Sequence, residues 1–193
     1  MATNEERRAV TRAKLIQAGR KHFAREGYEG AHTNRILEQA GVSRGAMYHH
    51  FKNKQELFEA VFIAVSDETI ESAGKGLKPG NSPLEDLISA SLAWLKAVQQ
   101  PELAAILLDQ GPQVLGWKHA RDLEAKTSLE LMTKSLERAV KAKEIKVPSV
   151  PLAARLINAL LAETALVALY EDPHTSLAKQ EAAIRQFIEG LKP

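Results

Sequence analysis

The chain has no cysteine, which excludes disulfides, cysteine-ligated zinc and thiol catalysis. It also lacks an uninterrupted apolar run of membrane-spanning length, since "ALLAETALVALY" is short and contains Glu163. The opening "MATNEERRAV" is charged and has no apolar core, so it does not read as a secretory signal. No segment alternates Val, Ile, Thr or aromatic residues with polar ones, and no repeat of fixed period recurs. These absences leave a cytoplasmic protein without strands as the expectation.

What is present is an ordinary globular balance, 45% hydrophobic and 26% charged over 193 residues, enough for one large domain or two smaller ones. The net charge of +2 hides an asymmetry. Residues 1–54 carry eleven Lys/Arg against five Glu, a net of +6, and the remainder carries fifteen against nineteen, a net of −4. A basic N-terminal part suits a polyanionic partner, and an acidic body faces something else. Taken alone, the same count would also describe a solvated face.

Breaks fall at 26–32, 40–43, 51–54, 72–83, 99–101, 110–112, 146–151 and 171–176, all but 51–54 holding Gly or Pro, between runs of strong helix formers. The expectation is an all-α chain of about nine helices. In the first, Ala9, Ala13, Ile16 and Phe23 can share a face. In the last, Leu177, Ile184, Phe187, Ile188 and Leu191 fall on one stripe. The segment 150–170, "VPLAARLINALLAETALVALY", is apolar nearly all round and must bury two faces. One would pack on its own core and the other on a second copy, with Leu156, Leu160 and Val167 as the candidate homodimer residues of this segment. A central core helix of a monomer would show the same pattern.

The most informative stretch is "TNRILEQAGVSRGAMYHHFKNK" (33–54). Thr33 is placed to cap a short helix whose apolar contacts are Ile36, Leu37 and Ala40. Gly41 can supply the positive φ that ends it, and Ser43 can cap the next helix. Helix, tight turn, capped helix is a helix-turn-helix. In the second helix Met47 and Phe51 face the core, leaving Arg44, Gly45, Tyr48 and His49 on the open side. Small Gly45 and Ala46 let the helix N-terminus approach a base edge, Arg44 can meet guanine bidentately, and the Ala46 methyl can meet a thymine methyl. Tyr48 and His50 can donate to phosphates, and Lys54 brings a further charge to the backbone.

Residues 10–58 resemble the DNA-binding domain of TetR-type transcriptional regulators. "LIQAGRKHFAREGYEG" (15–30) is similar to that family's first helix, and "ILEQAGVSRGAMYHHFKNKQELF" (36–58) to its signature. The resemblance implies a DNA-binding domain at 1–54 and a helical ligand-binding and dimerisation domain at 55–193. The implied partners are a palindromic double-stranded operator, a small-molecule effector and a second copy, met through the last two helices, which adds Ile184, Phe187 and Ile188 to the candidate homodimer residues. It implies neither a cofactor nor an enzymatic role. The candidate DNA-binding set is Thr33, Asn34, Ser43, Arg44, Gly45, Ala46, Tyr48, His49, His50, Lys52 and Lys54. Ala31, His32, Leu37 and His22 depart from the family's frequent residues, which bears on local packing alone.

Other chemistries find little support. His49 and His50 are adjacent, so on a helix they point about 100° apart and make no metal pair. Ser43 has no nucleophile elbow around it, and the carboxylates have no catalytic spacing. In the body, Trp94, Asp109, Gln113, Trp117, Asn158 and Glu163 are the candidate pocket residues, because a ligand site needs apolar walls with a few polar groups. The bland reading makes the two tryptophans core. Asn158 and Glu163 interrupt the most apolar helix, where an unpaired polar group is costly, so they could also pair across a dimer seam. The helix from Lys54 to about Ser72 is expected to couple the two parts, as the only segment joining them.

Overall fold

A computed structural model describes residues 3–124, 126–171 and 175–193. Among them are eleven α-helices, two π-helical stretches and no strand. Most of the expected Gly/Pro breaks fall between helices, although part of the one at 171–176 lies outside the described residues.

The chain forms two compact units, and they do not divide at Lys54. The first holds the chain through Val65 together with Ala105–Ala120, and the second holds Ser66–Ala104 and Arg121–Pro193. The chain therefore passes between units three times, and the helix after Lys54 is not the only covalent joint.

In the first unit, α1 (Asn4–Gly30) opens with a capping box: the Thr3 hydroxyl accepts from the Glu6 N–H at 3.1 Å, and the Glu6 carboxylate accepts from the Thr3 N–H at 2.7 Å. Its buried stripe is Leu15, Ala18, Gly19, His22 and Phe23. Of the expected stripe, Phe23 is buried and Ile16 half-buried, but Ala9 and Ala13 are exposed and Leu15 is the anchor instead. α2 (Thr33–Ala40) buries Ile36, Leu37 and Ala40. Thr33 is inside this helix, and the cap position belongs to His32, whose side chain makes no capping bond. α3 (Arg44–His50) follows after Gly41, which ends α2 at φ 63°, ψ 37°. α4 (Lys54–Gly74) buries Leu57, Phe58, Val61, Phe62 and Val65 in this unit. Phe23, Tyr28 and Phe58 form an aromatic cluster with centroids 5.1–5.8 Å apart.

A π-helical stretch (Ala105–Gln110), α7 (Gly111–Leu115) and the start of α8 (Trp117–Glu124) complete this unit. Gln110 Nε2 donates to the Phe23 carbonyl at 3.1 Å, and Gln55 Nε2 donates to the Val114 carbonyl at 3.0 Å. Gly111 is required where it stands, since a Cβ would lie 2.5 Å from the Phe62 ring.

The second unit is a helical bundle. It contains the remainder of α4, α5 (Pro83–Val98), the short α6 (Pro101–Ala104) and α9 (Ser128–Lys141), then α10 (Val150–Leu166) with its π-helical extension (Val167–Glu171), and α11 (Leu177–Glu189). α5 is central, packing on α9, α10 and α11. Ser82, Ser149 and Ser176 cap α5, α10 and α11 through their side chains. The core is Leu87, Ile88, Leu95, Leu136, Leu161, Ile184 and Ile188.

That core corrects part of the expected seam. Ile184 and Ile188 are both 0% exposed, so they fill their own bundle and offer nothing to a partner. Phe187, at the edge of that face on α11, is 64% exposed. α10 turns Ala154, Ile157, Leu161 and Ala165 inward and leaves Leu152 and Leu156 exposed, with Leu160 and Val167 half-buried. With its extension this helix runs 21 residues, Val150–Tyr170, and by length and composition alone it could cross a membrane. It has the bounds expected from the sequence; Arg155 and Glu163 on it are exposed, and its inner face is protein core.

Candidate nucleic-acid interface and ligand cavity

The helix-turn-helix is held from below and open above. Met47 and Phe51 are 1% and 4% exposed, and burying each stabilises by about 1.5–3 kcal/mol. The Ser43 hydroxyl accepts from the Ala46 N–H at 3.2 Å, a cap worth about 1 kcal/mol. Arg44, Gly45, Tyr48 and His49 are all exposed on one side of α3, with Ala46 half-buried beside them. Asn34 on α2 reaches this surface, and its Oδ1 accepts from Arg44 Nη2 at 2.8 Å. Arg44 is thus positioned by its neighbour, and its other nitrogens make no hydrogen bond among the described residues.

Two expected contributors behave differently. Lys54 Nζ donates to the Tyr28 carbonyl at 2.7 Å and lies 4.2 Å from the Tyr28 ring centre. Its charge ties α4 to the end of α1 and is not presented to a phosphate. His50 is half-buried, and burial, followed by the nearby charges of His49, Arg8 and Arg12, holds its pKa below the ordinary value. Lys52 remains exposed, 3.8 Å from Glu56. From the sequence, Arg7, Arg8 and Arg12 suit either a solvated start of α1 or an arm on the DNA backbone; in the structure Arg12 stacks its guanidinium over Phe51 at 5.3 Å, and Arg8 lies near enough to act on His50. Nothing in the local pattern of α1 signals these contacts, because they depend on how it crosses α3.

The second unit contains a cavity of about 230 Å³. Three segments line it at helical spacing: Ile70, Ala73, Gly74 and Leu77 from the end of α4 and the turn beyond, Leu87, Ala90, Ser91 and Trp94 from α5, and Ser128, Leu131, Met132 and Ser135 from α9. Asn158 and Leu161 of α10 close it. Each segment repeats the i, i+3, i+4, i+7 pattern of a face turned inward. Ala73, Gly74, Ala90 and Ser91 are too small to fill the space between them.

Of the expected pocket residues, Trp94 and Asn158 therefore line this cavity. Asp109, Gln113 and Trp117 belong to the first unit. There Gln113 Nε2 donates to Asp109 at 2.6 Å, and Trp117 is 66% exposed. Glu163 is exposed on α10 and absent from the wall. The serines were missed because single small residues stand out less than tryptophan. The signal that could have found them is three neighbouring faces all poor in bulk.

An open, polar recognition helix on a tightly packed helix-turn-helix, joined to a separate helical bundle, defines a DNA-binding transcription regulator. The family model for bacterial regulatory proteins of the tetR family matches residues 15–61, and that for the tetracyclin repressor-like C-terminal domain matches residues 84–191. The chain belongs to the TetR family of regulators. It is 30% identical to the HTH-type transcriptional repressor Rv1474c of Mycobacterium tuberculosis, over 97% of this chain and 95% of that one. The repressor AcnR of Corynebacterium diphtheriae is 43% identical over 53 residues, so the match spans only 28% of each chain. The crystal structure of a TetR-family regulator from Pectobacterium atrosepticum is 29% identical, with a TM-score of 0.80 over 99% of this chain and 98% of that one.

Proposed function

We propose that this regulator is a cytoplasmic homodimeric repressor that reads a palindromic operator through α3 and releases it when a small molecule occupies the cavity of the second unit. The observation that carries the DNA half is the set Arg44, Gly45, Tyr48 and His49, exposed together on a helix whose other side is anchored by Met47 and Phe51. Two such helices on a two-fold dimer reach successive major grooves when about 34–36 Å apart. Leu152, Leu156 and Phe187 supply the apolar surface for the second copy.

The ligand half rests on the cavity. A regulator governed by abundance or by a protein partner has no need to leave about 230 Å³ unfilled inside its bundle. Reversing a two-state preference from 99:1 to 1:99 takes roughly 5.5 kcal/mol of differential affinity per dimer, within reach of two buried ligands. Repression is favoured over activation by the likeness to Rv1474c.

Replacing Arg44 and Tyr48 together with Ala tests the recognition surface. Operator binding should disappear while the helical content and the dimer persist. Operator affinity that survived both changes would place recognition elsewhere.

A further inference from the structure

We infer that the effector is an uncharged, mainly apolar molecule of about nine non-hydrogen atoms, on the scale of a substituted aromatic ring, carrying one hydrogen-bonding group that meets Asn158. This rests on the reading that the cavity is the effector site, and it adds the chemistry of what enters.

Size comes first. A dry apolar cavity of about 150 Å³ accommodates benzene. A volume of about 230 Å³ at similar filling accommodates roughly half as many atoms again. A long acyl chain or a nucleotide is too large.

Charge comes second. The cavity walls are Ile, Ala, Gly, Leu, Trp, Met, Ser and Asn, with no Lys, Arg, His, Asp or Glu among the lining residues. An ion entering there would lose its water and gain no counter-charge, so the site selects against carboxylates, phosphates and amines.

Polarity comes third. Ser91 is buried and its hydroxyl already donates to the Leu87 carbonyl at 2.8 Å. Asn158 is half-buried, lines the cavity and makes no side-chain hydrogen bond among the described residues. A carboxamide offers both a donor and an acceptor, so a hydroxyl or carbonyl on the ligand completes it. Trp94 supplies a flat aromatic wall on the α5 side.

Calorimetric titration of the full chain with three probes of about eight or nine non-hydrogen atoms tests this: para-ethylphenol, benzoate and ethylbenzene. At neutral pH para-ethylphenol should saturate one site per chain and bind at least tenfold more tightly than the ionised benzoate. Asn158→Leu should remove its advantage over ethylbenzene, and Ala90→Trp should abolish all binding by filling the cavity. Should Ala90→Trp fail to fold, Ser135→Leu fills the same space from α9; should Asn158→Leu fail, Asn158→Ala removes the amide. The inference is overturned if the benzoate binds as tightly as the phenol, if neither neutral probe binds, or if binding ignores these substitutions. A charged molecule that dissociates the operator complex, and is blocked by Ala90→Trp, would overturn the chemistry inferred here while leaving the cavity as the effector site. Dissociation by any inducer that persists in Ala90→Trp would remove the cavity from the mechanism altogether.

Discussion

α3 and α10 each bury one side and leave the other open, but the open sides differ in kind. α3 exposes Arg44, Tyr48 and His49, and α10 exposes Leu152 and Leu156. A polar, cationic side is stable in water and complements a polyanion, whereas an exposed apolar side is satisfied by another apolar surface. What a helix leaves uncovered therefore describes its partner, and the two helices point to DNA and to a second copy of the chain.

The largest effect should come from attacking the apolar side. Leu156→Lys places a charge on the exposed face of α10, and we expect monomers by sedimentation. With one half-site engaged at a time, operator affinity should fall roughly 10²–10⁴-fold, although α3 is untouched. Unchanged dimerisation would detach α10 from the seam.

Next comes the polar side. Arg44→Ala should cost about 1–3 kcal/mol per half-site and relax the preference at one base pair, read by sequencing retained DNA. Asn34→Ala, which removes the 2.8 Å bond that positions Arg44, should relax the same base pair with a smaller loss.

A third change separates packing from recognition. Gly111→Ala pushes a Cβ to 2.5 Å from the Phe62 ring and should destabilise the first unit by about 1–3 kcal/mol, visible as a lower Tm. Ser43→Ala should cost about 1 kcal/mol through the lost cap at α3.

The smallest effect concerns pH. Burial and the neighbouring His49, Arg8 and Arg12 lower the His50 pKa, so near neutrality its ring is uncharged. A phosphate beside it would favour the charged form, so DNA binding takes up a proton and affinity rises as pH falls from about 7.5 to about 6. His50→Gln should flatten part of that slope; an unchanged slope would exclude His50 from the contact. In the free protein the same depression acts oppositely. The unfolded chain is protonated first, so this residue's contribution to stability declines over the same fall in pH.

The helix-turn-helix was legible because its physics is local. Gly41 must take a positive φ, Ser43 must cap, and Met47 and Phe51 are four apart on one face, and each is found as the spacing demands. Where the sequence reading failed, the deciding partner lay far along the chain. Lys54 binds the carbonyl of Tyr28, Gly111 packs on Phe62, and residues 105–120 join the first unit although they follow two helices of the second. The cavity was half legible for the same reason. Trp94 and Asn158 stand out singly, but the emptiness between them comes from Ala73, Gly74, Ala90 and Ser91 on separate helices. The 150–170 segment announced two apolar faces, and only the fold could say that Ile184 and Ile188 belong to the inner core while Phe187 belongs outside.

The most direct test of the central claim is selection of randomised double-stranded DNA on the full chain at two salt concentrations, with sequencing of what is retained. A palindrome whose half-sites are one helical turn apart should be enriched at both concentrations and lost in Arg44→Ala with Tyr48→Ala. Retention without a motif, collapsing steeply as salt rises, would mean that the basic N-terminal part is an electrostatic patch and that α3 reads no sequence.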